Sequence, residues 1–192
     1  MSNTTQPIGR ILLKDARLAF PNLFEPTTVA GEGKPRYSAT LLMPVDHAQL
    51  EEIKKKIDAI AKEKWREKAA GILSGLYKTG KVALHDGDEK AQYDGFPGNM
   101  FIAAASQESA PPTVVDQSRS PLTAKSGKPY AGCYVNASLE FWAQDNQWGK
   151  RVNCTLRGVQ FLRDGDSFSA GRPADADEFE EVTDGADAGD FA

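Results

Sequence analysis

Residues 75–82, GLYKTGKV, carry the spacing G-x-x-x-x-G-K of a phosphate-binding loop. Such a loop needs Ser or Thr after its lysine to hold Mg²⁺, and it must run from a strand into a helix. Here Val82 follows Lys81, and the flanking pattern runs from a helix into a strand. The segment is read instead as an aromatic-plus-basic surface of Tyr77, Lys78 and Lys81. HDGDE at 85–89 gathers an imidazole and three carboxylates, but without the spacing or length of a calcium loop. A tight Asp-Gly turn accounts for it more simply. The other histidine, His47, falls in the first turn of an expected helix, and two histidines so placed assemble no Ser/His/Asp or Cys/His set. Cys133 and Cys154 have no metal spacing and no CxxC, and they sit in alternating apolar runs as buried free thiols. No catalytic residue, metal or cofactor is expected.

A different chemistry appears in GCYVNASLEFWAQ, residues 132–144. Cys133, Val135, Ala137, Leu139, Phe141 and Ala143 form one apolar face of a strand. Tyr134, Asn136, Ser138, Glu140, Trp142 and Gln144 form the other. A strand face meant only for water seldom needs a tyrosine and a tryptophan. In the following strand Arg151, Asn153, Thr155 and Arg157 oppose Val152, Cys154 and Leu156. Pairing the two across the hairpin connection DNQWG lays aromatics beside arginines on one outward face. That combination suits single-stranded nucleic acid: aromatic faces stack bases of any identity, worth ~1–3 kcal/mol per base, while Lys and Arg follow the phosphates. Packing of Trp142 under a loop, or against a second copy of the chain in a homodimer, is the competing use of the same face.

The elements that must position these residues are mostly strands. GRILLKDARLAF (9–20) reads as a long strand interrupted by Pro21 and Asn22, and PTTVAGEGKP (26–35) as a flexible loop. RYSATLLMP (36–44) alternates, with Tyr37 on the inward face. One helix follows, with Asp46 as N-cap, Leu50, Ile53, Ile57, Ile60, Ala61 and Trp65 on its apolar side, and Gly71 as its stop. Short strands at 81–86, 99–106 and 112–117 lead to a long polar and basic loop, SRSPLTAKSGKPYAG (118–132), which carries Lys128 and Tyr130. Phe20 and Phe24 flank a proline turn, where they are expected to close a barrel rather than stack bases. Several short strands and one helix describe a mainly β fold, a small barrel or sandwich.

Composition sets the outer bounds. The 192 residues are 40% hydrophobic and 26% charged, as in an ordinary globular protein. No apolar run is long enough to cross a bilayer, and the N-terminus lacks the pattern of a signal peptide, so a cytoplasmic location and no membrane partner are expected. Residues 171–192 hold eight carboxylates against the single Arg172, a net of −7, so the first 170 residues carry +3 of the chain's −4. A basic body with an acidic arm points toward nucleic acid. The arm is too polar to fold and is expected to be disordered. Yet it keeps Phe179 and, one residue from the end, Phe191.

RLAFPNLFEP, RYSATLLMP, the Asp-Gly turn before YDGFPGNMFIAAAS, and YAGCYVNASLEFWAQDN with GVQFLRDGDSF occur in this order in one family. Over about residues 9–170 the chain resembles the bacteriophage single-stranded DNA-binding proteins long catalogued only as a domain of unknown function. The resemblance implies an OB-type barrel over residues 1–170 that coats single-stranded DNA during phage replication or recombination, in the host cytoplasm, without a cofactor. One feature departs from the usual OB barrel, whose helix falls between the third and fourth strands: here it follows the second. A strand has been missed, or the barrel is decorated.

The OB rule puts ligand on strands two and three and on the loops after strands one and four. The first loop then includes Lys34 and Arg36, and the second is DNQWGKR. The expected stacking residues are Tyr134, Trp142 and Trp148, and the expected phosphate contacts Arg36, Lys150, Arg151 and Arg157. Tyr77, Lys78, Lys81, Lys128 and Tyr130 form an outer set. The acidic end resembles the arms with a near-terminal aromatic on other single-strand binding proteins. That implies docking of replication or recombination proteins through Phe179, Asp187, Asp190 and Phe191, although Ala192 follows the aromatic. The alternatives are a β-rich assembly module without nucleic acid, and a single-strand annealing protein.

Overall fold

The computed structural model describes residues 6–29 and 31–168. Its first strand, β1 (Arg10–Val29), pairs antiparallel with β2 (Glu32–Pro44), and β2 with β4 (Asn99–Gln107). The last two strands, β6 (Tyr134–Asn146) and β7 (Gly149–Arg163), form a long antiparallel hairpin, and β6 returns to pair with β1. A parallel contact between Ala105 of β4 and Thr155 of β7 closes the ring in the order β1-β2-β4-β7-β6. The fold is therefore mainly β, with an OB-like five-stranded barrel. Short strands β3 (Leu84–Asp86) and β5 (Thr113–Val115) add to β4 and β7. The closing seam is thin, and residues 81–86 reinforce it: Val152 N–H donates to Lys81 O, Ala83 N–H to Val152 O and Ala103 N–H to Ala83 O.

The barrel is filled by the inward members of each alternation, among them Leu13, Leu18, Leu41, Ile102, Leu139 and Leu156. The helical segment between β2 and β3 lays its buried side against this core. The decorated-barrel alternative holds, since the helix stands between the second and third barrel strands.

Its ends differ from the sequence reading. Helix α1 runs Leu50–Trp65, and Asp46 does not cap it. Gln49 stands at the cap position, but its amide is used on β1: Nε2 donates to Leu12 O and Oε1 accepts from Lys14 N–H. His47 Nε2 lies 2.9 Å from Lys14 O. Docking of the helix start onto β1 thus overrides the local cap signal. Gly71 is not the stop either. The helix breaks at Arg66, with φ 54°, and a 3₁₀ turn leads into α2 (Ala69–Lys78), which runs through Gly71. Burial of Leu73 and Leu76 outweighs the ~1 kcal/mol apiece that exposed Gly71 and Gly75 cost the second helix.

The expected loop at 26–35 is largely strand. Thr27 pairs with Arg36 and Val29 with Glu32, so β1 and β2 extend beyond the barrel as an arm. Gly31 and Gly33 adopt φ of 74° and 84°, which is what lets the chain reverse there. Pro21 and Asn22 do not end β1; its register with β2 merely shifts between Ala19 and Asn22. Cys133 and Cys154 are free and buried, and burial pushes both thiols up.

Candidate nucleic-acid interface

Two hairpins rise from the barrel on either side of the β2–β4 face. One is the β1–β2 arm; the other is the end of β6–β7, where Asn146 pairs with Gly149 and Gln147 and Trp148 form the turn. Gly149, at φ 98°, supplies the reversal, and Asn146 Oδ1 accepts from Trp148 N–H at 2.9 Å. Between the hairpins runs an open groove of about 1340 Å³, above the ~300–1,000 Å³ of small-molecule sites and suited to an extended ligand. Its floor is small and polar: Ser38 and Thr40 from β2, Ala103 and Ala105 from β4, Asn153 and Thr155 from β7.

The walls carry the chemistry. Trp142 is 44% exposed and Trp148 78%, whereas Trp65, the third tryptophan, is 7% exposed. Trp142 Nε1–H donates to Thr155 Oγ1 at 3.1 Å, which fixes the indole without covering its face. Arg36, Lys81 and Arg151 line the same groove, and none takes part in an ion pair among the described residues. The hairpin is held from below. Asp145 accepts from Lys150 Nζ at 2.8 Å and from Trp65 Nε1–H at 2.9 Å, bonds that lower its carboxyl from the ordinary range, the lysine's first.

Residues 9–191 match the family described as Enterobacter phage Enc34, ssDNA-binding protein. The chain belongs to this family. Putative protein p50 of Acyrthosiphon pisum secondary endosymbiont phage 1 is 44% identical over 180 residues, which is 91% of this chain and 94% of that protein. The single-stranded DNA-binding protein from bacteriophage Enc34, solved in complex with ssDNA, is 27% identical with a TM-score of 0.69, over 84% of this chain and 90% of that one. At 15% identity the gp2.5 single-stranded DNA binding protein of bacteriophage T7 shares the fold, with a TM-score of 0.51 over 93% of this chain and 98% of that one.

Within this family member, six of the sequence-selected residues meet in the groove: Arg36, Lys81, Trp142, Trp148, Arg151 and Arg157. Arg157 enters it already engaged, since its Nε and a terminal nitrogen each lie 2.9 Å from Glu140 Oε2, an oxygen that Arg10 also approaches. Lys150 is held by Asp145 outside the groove lining. Tyr77 and Lys78 close α2 and do not line the groove; burial and then Asp58 push the Tyr77 phenol up to about 12. Tyr134 lies at the far end of β6, with the Arg163 guanidinium 4.0 Å from its ring centre. Tyr130 donates its hydroxyl to Asp164, and Lys128 Nζ sits 4.6 Å over Phe161, so both belong to the barrel's other end. Phe179, Asp187, Asp190 and Phe191 lie outside the described residues.

The residues missed from the sequence are the small floor, Glu140 and Phe20. Phe24 is half-buried against the core, as barrel closure requires, but Phe20 is 49% exposed and lines the groove. The proline turn expected between them is instead continuous strand, whose register with β2 slips between Ala19 and Asn22. His85 also reaches the groove, stacked on Phe101 at 4.8 Å, and burial lowers its imidazole from the ordinary range. In HDGDE, Asp86 accepts from Asp88 N–H and Asp88 from Gly98 N–H, so two of the three carboxylates serve the turn.

Proposed function

We propose that the chain binds single-stranded DNA in the groove between its two hairpins, with little dependence on base sequence. The observation that carries this reading is two open tryptophan faces beside three cations, Arg36, Lys81 and Arg151, that have no ion-pair partner among the described residues, over a floor of small side chains. Trp142 and Trp148 stack bases, each contributing ~1–3 kcal/mol, because every base offers a π face. The cations neutralise phosphates and release counterions. Membership of the Enc34 family, and likeness to a relative solved with ssDNA, support the ligand.

In this role the protein coats transient single strands during phage DNA replication or recombination and keeps them from pairing or degradation. Its acidic end docks replication or recombination proteins, with carboxylates such as Asp187 and Asp190 on a basic rim and Phe179 or Phe191 in an apolar pocket. The same end competes with DNA for the cationic groove.

Titration of the purified chain with oligo-dT, oligo-rA and duplex at two salt concentrations tests ligand, selectivity and electrostatics together. Oligo-dT quenches the tryptophan emission, and its affinity falls steeply with salt. No quench by any single strand, or binding indifferent to salt, overturns the reading.

A further inference from the structure

Phe20 breaks two habits of a strand phenylalanine. It adopts φ 46°, a region that bulky side chains rarely enter and that costs ~1–3 kcal/mol, and it leaves its ring half exposed. Its neighbours Leu18 and Ala19 are buried, so the core does not need this ring. The slip between Ala19 and Asn22 is what turns it outward.

The ring does not stand alone. Tyr93 meets it edge-on at 5.1 Å, and Phe96 lies 5.8 Å from both. Phe96 is 1% exposed and packs on Phe101, so it roots the cluster in the interior while Phe20 and Tyr93 stay open. The loop bearing Tyr93 and Phe96 is braced. Asp88 Oδ1 accepts from Gly98 N–H at 2.8 Å, and Asn99 Nδ2 donates to Gly95 O at 2.7 Å. Gly87 sits so close that an added Cβ would come within 2.0 Å of Phe96 O. A strained, exposed aromatic on a rigid base is pre-organised to receive a flat ligand.

Position says which ligand. Phe20 lines the groove from β1, while Trp142 and Trp148 line it from the β6–β7 hairpin, with β2, β4 and β7 between. Because β1 and β6 also pair directly on the barrel's other side, the groove path between them runs over β2, β4 and β7, four strand steps of ~4.8 Å or roughly 19 Å of curved surface. That span takes several nucleotides, within the ~4–16 that an OB-fold covers. We propose that Phe20, backed by Tyr93 and Phe96, is a second base-stacking platform, so that a bound single strand crosses the β2–β4 face from the tryptophan hairpin to the β1 bulge. This rests on the reading of the groove as a single-stranded DNA site.

The test uses the full chain and oligo-dT of graded length. Phe20→Ala binds oligomers too short to reach from the tryptophans to β1 as the unaltered protein does. It loses about tenfold or more on oligomers of about twelve, the effect of one stacked base. A second variant reports directly: Phe20→Trp, in a chain carrying Trp142→Phe and Trp148→Phe, gains an emission that the longer oligo-dT quenches while buried Trp65 stays constant. This arm decides the matter if Phe20→Ala fails to fold. Absence of binding by the unaltered chain overturns the groove reading itself. Binding with no length-dependent loss in Phe20→Ala and no quench in Phe20→Trp overturns the platform alone and leaves the aromatic cluster as a protein contact.

Discussion

Strand β6 presents an aromatic near each end of its outward face, Tyr134 at the start and Trp142 eight residues later. Both have arginines for company. At the Tyr134 end the arginines are consumed internally: Arg163 stacks on the ring and pairs with Asp15 at 2.6 Å, while Arg17 donates to Gly132 O and Asp166 O. The segment after β7 also folds over this end. Phe168 N–H donates to Ala131 O, and the Arg17 guanidinium lies 4.1 Å from the Phe168 ring. At the Trp142 end, among the described residues, none folds over the ring and Arg151 keeps no carboxylate partner. The same residue types on the same face thus serve packing at one end and stay open at the other. What separates them is whether a later stretch of chain returns to cover the ring.

The comparison breaks most visibly under truncation of the aromatics. Trp142→Ala with Trp148→Ala should lower affinity for oligo-dT between about thirtyfold and about twenty-five-thousandfold, two bases at ~1–3 kcal/mol each, with little change in the urea midpoint. Tyr134→Ala should do the reverse, costing about 1–3 kcal/mol of stability and leaving affinity within about twofold. A large affinity loss in Tyr134→Ala would erase the distinction between the two ends. The arginines give the next largest contrast. Arg151→Ala and Arg36→Ala should each lower the slope of log affinity against log salt by ~0.7, one single-strand phosphate contact apiece. Arg163→Ala should leave that slope alone.

The contrast also marks how far the sequence could be read. Alternation from Cys133 to Gln144 identifies the outward face correctly, because one side of β6 is core and a period of two follows from that. The turn at Asn146–Gly149 and the apolar side of α1 are legible for similarly local reasons. Helix ends were not, since Gln49 spends its side chain on β1 thirty-seven residues away from its own position at Leu12. Nor was the position of Phe20, which depends on a register slip that only the partner strand β2 defines. For the candidate site, the sequence singled out the β6–β7 hairpin but could not rank Tyr134 against Trp142 by exposure. That ranking is set by Arg17, Asp15 and residues 164–168, distant in sequence and joined only by the closed barrel.

Smaller effects sharpen the same contrast within the groove. Among the described residues Glu140 is the one carboxylate in the groove lining, and it occupies Arg157 and Arg10. Glu140→Gln should release Arg157 to phosphate, steepening the salt slope by ~0.7 and tightening oligo-dT a few-fold. Stability should move by less than about 1 kcal/mol, as for other part-exposed ion pairs. An unchanged slope would mean that Arg157 lies off the DNA path and belongs with Arg163 rather than Arg151.

The smallest effect concerns how the open end is held. Asp145 ties Trp65 and Lys150 to the root of the hairpin, and those two bonds depress its carboxyl in the folded state. A folded value below the unfolded ~3.9 means the tether's contribution is complete above that pH and fades as pH falls through the folded value. Asp145→Asn lacks the charge at every pH. Its urea midpoint should therefore sit slightly below that of the unaltered chain at neutrality; the gap should begin to narrow below about pH 4 and close below the folded value, where protonated Asp145 and Asn become equivalent. A gap that persists undiminished to pH 3 would place the tether in shape rather than charge. The tryptophan end would then be held by the shape of the Trp65–Asp145 contact, unlike the tyrosine end with its Arg163–Asp15 ion pair.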